Sequence, residues 1–154
     1  MKIALAYAMA AEIESLLTAT GAKLLETVHG VPFYEIERDI IAYAGGVGKV
    51  NAAMAAQLCI DRCQPEWIVN AGVAGSFRDL AIGTVVLAED FVQHDIDTSA
   101  VDGVPGLIPT LNLTALPTDQ PDRAGAILAG LGVAFTRGRV ATGDVFMTKG
   151  DRAN

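Results

Sequence analysis

Asp39-Ile40-Ile41-Ala42-Tyr43-Ala44-Gly45-Gly46-Val47-Gly48-Lys49-Val50-Asn51-Ala52-Ala53-Met54 decides the fold. An apolar run, Asp39–Ala44, is strand-like and stops in a glycine corner. The alanine-rich stretch that follows, Lys49 to Cys63, puts Val50, Met54 and Leu58 on one stripe at helical spacing. A strand that turns sharply into a helix is the building unit of α/β proteins. The same unit recurs on either side. Lys2–Ala8 is a short apolar run suited to a strand buried on both faces, and Met9, Ile13, Leu16 and Leu17 then mark a helix closed by Gly21. Pro32–Glu37 is a further strand-like run. Pro65 stops the second helix, and Trp67-Ile68-Val69-Asn70 reads as another buried strand, ending in Ala71-Gly72-Val73-Ala74-Gly75. Thr84–Val92, rich in β-branched residues, reads as a long strand. Four prolines (105, 109, 117 and 121) make residues 102–121 an irregular excursion with one short strand. Asp122–Leu131 is a helix closed by Gly132, and Val133–Thr142 is a last strand running into Gly143-Asp144. No repeat, low-complexity tract or flexible linker interrupts this series, so residues 1–154 read as one α/β domain.

Composition narrows the function classes. The chain has 154 residues, 51% hydrophobic and 19% charged, which suits a globular domain with its own core. A net charge of −7 argues against nucleic-acid binding, which needs clustered Lys and Arg to neutralise phosphates. No segment approaches the ~18 apolar residues of a membrane helix, so no membrane partner is expected. Glu12 and Glu14 follow the short apolar N-terminus too soon for a signal peptide, and a cytoplasmic location is expected. Cys59 and Cys63 lie four apart on one helical face without the further ligands zinc needs, and read as two small buried hydrophobes in a reducing compartment.

Ligands of open α/β sheets bind beyond the carboxyl ends of the strands. The corners at Met9–Glu12, Gly45–Gly48, Gly72–Gly75 and Gly143–Met147 are therefore candidates for a shared site. Singly, each has a plain alternative. Gly45-Gly46-Val47-Gly48 lacks both the dinucleotide fingerprint and the P-loop spacing, and serves equally as a tight strand-to-helix turn. Glu12, in the first turn of a helix, serves equally as a cap. Phe146 alone would be an ordinary core aromatic. His94-Asp95-Ile96-Asp97 invites a metal reading, but two alternating aspartates on a strand would face one way and His29 is far off in sequence, so no metal is expected.

In order, these segments resemble a known family. Ala8-Met9-Ala10-Ala11-Glu12, Gly45-Gly46-Val47-Gly48-Lys49-Val50-Asn51-Ala52-Ala53, Asn70-Ala71-Gly72-Val73-Ala74-Gly75-Ser76, Gln93-His94-Asp95-Ile96-Asp97-Thr98-Ser99-Ala100 and Thr142-Gly143-Asp144-Val145-Phe146-Met147 are similar to five successive motifs of the 5'-methylthioadenosine/S-adenosylhomocysteine nucleosidases. The resemblance implies a nucleoside phosphorylase-like fold, a mixed central sheet flanked by helices. It also implies hydrolysis of an N-ribosidic bond to release adenine in methionine salvage, with no cofactor. Glu12 matches the base that activates water, Met9 the residue lining the ribose, and Val47 a residue near the 5'-alkylthio group. Val73, Ala74 and Gly75 match residues that approach the nucleoside largely through backbone, Phe146 the aromatic that stacks on adenine, and Met147 the residue whose backbone reads the purine edge. Val73 stands where some members have serine. Thr98 to Leu107 matches a homodimer interface that reaches the partner's alkylthio pocket.

Two other activities compete. Related phosphorylases hold phosphate with arginines, one of them just before the third motif; Val69, Asn70 and Ala71 stand here with no basic residue beside them, which favours water over phosphate. A non-catalytic half-domain binding adenine nucleosides is the third reading. In the family, segments past the position of Asn154 supply a glutamate that binds the ribose hydroxyls and an aspartate that protonates purine N7. Asp144 and Asp151 match neither. The expectation is a domain lacking its C-terminal third, inactive as residues 1–154 alone, with exposed apolar surface and an unpaired strand edge.

Overall fold

Ile3–Tyr7 (β1) begins the chain as a strand whose alternate side chains, Ala4 and Ala6, are buried. The computed structural model describes residues 2–148 and divides the chain into two compact units, Met1–Gly75 and Ser76–Asn154.

The first unit continues with helix α1 (Ala10–Thr20), strands β2 (Lys23–Val28), β3 (Val31–Glu37) and β4 (Ile40–Ala44), helix α2 (Lys49–Cys63) and strand β5 (Trp67–Asn70). Its five strands form one mixed sheet in the order β2-β3-β4-β1-β5. β1 runs parallel to both β4 and β5, whereas β2–β3 and β3–β4 are antiparallel. Because β1, β4 and β5 are parallel, their carboxyl ends at Tyr7, Ala44 and Asn70 lie at one edge of the sheet. Ala4, Ala6, Val28, Val31, Phe33, Ile41, Tyr43, Ala55 and Cys59 form the core, with the Phe33 and Tyr43 rings in tilted contact at 5.5 Å between centroids.

Three details differ from the sequence reading. β2 escaped it because five of its six residues are exposed and no alternation marks it; His29 and Gly30, both at positive φ, turn it into β3 as a two-residue hairpin requires. Helix α2 has the expected bounds, but its buried residues are Ala55 and Cys59, and Val50 is exposed. Small residues face the sheet because α2 packs close to the strand end: a Cβ on Gly45 would lie 2.7 Å from the Ala55 Cβ. β5 was expected to be buried. Among the described residues it pairs only with β1, at the sheet edge, and Ile68 and Val69 are partly exposed.

The second unit contains β6 (Val85–Gln93), the short helix α3 (Ser99–Asp102), the two-residue strand β7 (Leu116–Pro117), helix α4 (Pro121–Gly130) and β8 (Phe135–Thr142). Its sheet has the order β7-β6-β8, with β6 and β8 parallel over eight paired residues. α4 starts on Pro121, which suits a first helical position, and Gly125 brings it against Phe135, Arg137 and Leu87. Across the strand pair, Arg139 donates to both oxygens of Asp90 at 2.6 and 2.7 Å, and these bonds hold the Asp90 carboxyl below its ordinary range. No apolar side chain among the described residues of this unit is fully buried. A mixed central sheet flanked by helices was expected; the first unit holds a five-stranded mixed sheet and the second a three-stranded one.

Candidate active site at the strand ends

The three parallel strand ends of the first unit are laced together by backbone bonds. Gly45 N–H donates to Tyr7 O at 2.8 Å, Gly46 N–H to Ala8 O at 3.0 Å, and Ala71 N–H to Ala6 O at 3.0 Å. Asn70 adds a bond from its side-chain amide to Ala6 O at 3.3 Å. Beyond β4 the chain turns through Gly46 and Gly48 at φ +93° and +99°, values that suit glycine, and Asn51 reaches back to Val47 O at 2.7 Å. Such a loop presents Val47 outward, 66% exposed.

Glu12 sits at this meeting point. It is the third residue of α1, and its Oε2 accepts the N–H of Met9 at 2.9 Å and of Ala8 at 3.1 Å. That is a capping contact. Oε1 accepts a third N–H, from Val73 at 2.9 Å, beyond the end of β5. The cap reading and the functional reading thus describe one geometry, in which the α1 cap is also the tie to a loop 61 positions away. Gly72 makes the approach possible, since a Cβ there would lie 2.8 Å from Oε1. Tyr7, at the end of β1, has its hydroxyl pKa raised by burial and by the nearby Glu12 charge.

A carboxylate offers about four acceptor sites, and three backbone donors occupy three of them. One remains for a water or hydroxyl. Three main-chain donors from two strand ends also fix the plane of the carboxylate without relying on a flexible side chain. Around it, Met9 and Val73 are exposed at 42% and 79%, and Ala74 and Gly75 continue the exposed loop. The structure therefore joins Glu12 directly to Met9 and Val73, and ties the Val47 loop to the same edge through Gly46. Gly72, Ala8 and Asn51 lie within the quoted motifs, but the sequence assigned them no contact of their own. Gly72 carries the clearest signal, a glycine just past a strand end, but its partner is remote in sequence.

In the second unit, β6 and β8 also end together. His94 N–H donates to Thr142 O at 3.0 Å, and Asp95 Oδ2 accepts the Asp144 N–H at 2.7 Å. Asp95 and Asp97 do not alternate along a strand, because β6 stops at Gln93. Asp97 instead caps the next turn, accepting the Ser99 N–H at 2.9 Å, and that bonding to Ser99 lowers its carboxyl pKa. Among the described residues no group of three or more His, Cys, Asp or Glu side chains could hold a metal ion. Phe146 lies in the loop beyond β8, 91% exposed with no core around it, and Met147 beside it is partly covered. Asp151 lies outside the described residues.

A model of the phosphorylase superfamily matches residues 2–154. A 5'-methylthioadenosine/S-adenosylhomocysteine nucleosidase of Bacillus licheniformis is 32% identical over an alignment covering 99% of this chain and 68% of the relative. The nucleosidase of the same name from Helicobacter pylori, solved with butyl-thio-DADMe-Immucillin-A, superposes with a TM-score of 0.89 at 28% identity, covering 99% of this chain and 69% of that one. The native futalosine hydrolase of Helicobacter pylori fits with a TM-score of 0.89 at 27% identity, covering 99% and 69%. The chain spans 52% to 68% of the length of such curated relatives. With the motif model matched from its second residue onward and relatives above 30% identity along nearly its whole length, the chain belongs to the phosphorylase superfamily, in the family of the 5'-methylthioadenosine/S-adenosylhomocysteine nucleosidases.

Proposed function

We propose that the protein hydrolyses the N-ribosidic bond of 5'-methylthioadenosine and S-adenosylhomocysteine, releasing adenine, with Glu12 as the general base. The observation that carries this is the Glu12 carboxylate, aimed by three backbone N–H groups and left with one acceptor site at the shared edge of three strands. A water held there gives its proton to Glu12 as its oxygen bonds to the ribose C1'. The C1'–N9 bond breaks, its electron pair passes to the purine, and protonation of the purine completes adenine. General base assistance of this kind is typically worth ~10²–10⁴-fold.

Met9, Val47, Val73, Ala74 and Gly75 supply the apolar and backbone lining, as the family resemblance implies. The same resemblance assigns purine stacking to Phe146 and the purine-edge contact to the Met147 backbone, and an exposed aromatic suits stacking because purine faces stack on rings. A homodimer through the 98–107 segment fits its exposed Val101 and Val104.

Phosphorolysis is the competing chemistry, and the Val69-Asn70-Ala71 stretch offers no cation for phosphate. The test is adenine release by the full-length protein in phosphate-free buffer made with ¹⁸O water. Turnover with one ¹⁸O in the released sugar is expected. Turnover only after phosphate addition, yielding a sugar phosphate, would overturn hydrolysis.

A further inference from the structure

Both units close a parallel strand pair in the same way. In the first, Glu12 follows β1 and its carboxylate accepts the N–H of Val73, the residue after Gly72 at the end of the neighbouring parallel strand β5. In the second, Asp95 follows β6 and its carboxylate accepts the N–H of Asp144, the residue after Gly143 at the end of the parallel strand β8. The glycine makes room in each case. A Cβ on Gly72 would lie 2.8 Å from Glu12 Oε1, and one on Gly143 would overlap the His94 ring and lie 2.9 Å from Asp95 Cγ. The first contact ties the Glu12 carboxylate to the loop after β5. The second ties the Asp95 carboxylate to the loop that follows β8.

We propose that Asp95 is a positioning residue: by accepting the Asp144 N–H it fixes the 143–148 loop in the pose in which Phe146 receives the purine. This rests on the reading above that the loop holds the purine. The anchor lies two residues before Phe146, whose ring is exposed and takes little guidance from packing. At 2.7 Å the bond is a short, charge-assisted one, and bonds to charged groups are the strong class. Because stacking on the purine acts on bound substrate and transition state alike, loss of the anchor should weaken binding more than chemistry.

The experiment compares wild type, Asp95→Ala and Asp95→Asn in the full-length protein. It measures kcat and KM for methylthioadenosine, and hydrogen exchange of the Asp144 amide by NMR. Asp95→Ala should raise KM about tenfold, the scale of one hydrogen bond to a charged group, with kcat within about twofold. The Asp144 amide should exchange faster, and Asp95→Asn, which keeps an acceptor oxygen, should restore most of both. Unchanged KM despite faster exchange would overturn the proposal, as would equal losses in kcat and KM that asparagine does not rescue. A wild type that releases no adenine would sink the proposed function instead. The Asp144 amide then still decides the anchor, which stands if alanine removes its protection and falls if protection persists.

Discussion

Glu12 carries two assignments with one side chain, since it caps α1 through Ala8 and Met9 and reaches across to Val73. Its proposed role as base was suggested in the sequence only by its neighbours, because an acidic residue in a first helical turn is ordinary. Gly72 was legible as a turn and not as the wall that lets the carboxylate in. Nothing local links residues 12 and 72, so only the parallel pairing of β1 with β5 reveals the contact. At this scale the account predicts that Gly72→Ala lowers kcat at least about tenfold, since the added methyl must displace the oxygen that Val73 holds and a small misplacement of a catalytic group is costly. The thermal midpoint should move little, because Gly72 lies in an exposed loop. Steady-state kinetics and a thermal scan on the same preparation separate the two effects, and a large fall in midpoint with kcat intact would refute the assignment.

Among the elements, α2 shows best what periodicity can and cannot tell. Alanine-rich composition and Pro65 marked its length, and of the apolar stripe Val50-Met54-Leu58 only Leu58 packs against the core, while Val50 and Met54 are exposed. The face that packs is chosen by size: Ala55 is completely buried where the strand end at Gly45 comes within contact, and a valine-sized residue would not fit. Gly45→Ala should therefore destabilise the fold by about 1–3 kcal/mol through overpacking, read as a lower urea midpoint with unchanged slope. The same interface sets an alkaline limit. Burial, then the neighbouring Cys63, pushes the Cys59 thiol from 9.0 up to about 12, and burial, then Cys59, pushes the Tyr43 hydroxyl from 10.0 up to about 12. Above about pH 9 the unfolded chain loses protons that the folded chain keeps, so stability is intact below that point and declines towards pH 12. Urea unfolding at about pH 8 and about pH 10.5 should show a lower midpoint at the higher pH, and Cys59→Ala should reduce the difference.

For the whole molecule, the two units are unequal. Every fully buried apolar side chain among the described residues belongs to the first, whereas Ile82, Val101, Leu131, Val145 and Phe146 of the second are largely exposed. The alternation of strands and helices was visible in the sequence, and so was part of this imbalance: β1 and β4 are wholly apolar, whereas Glu89, Asp90 and Gln93 interrupt β6 and Arg137 and Arg139 interrupt β8. A unit with so little buried surface cannot offset its conformational entropy. Residues 76–154 expressed alone should lack a cooperative unfolding transition and bind a hydrophobic dye; a sharp two-state melt would contradict this.

If the carboxylate at the joined strand ends activates the attacking water, replacing it removes the base. Glu12→Gln keeps the size and can still accept an N–H, but it cannot take the water's proton. The measurement is the rate of adenine release from methylthioadenosine by the full-length protein and its Glu12→Gln variant. A kcat lower by at least about 10²-fold is expected, with KM changed only slightly. A variant that keeps more than about a tenth of the wild-type kcat would show that Glu12 is no more than the cap of α1.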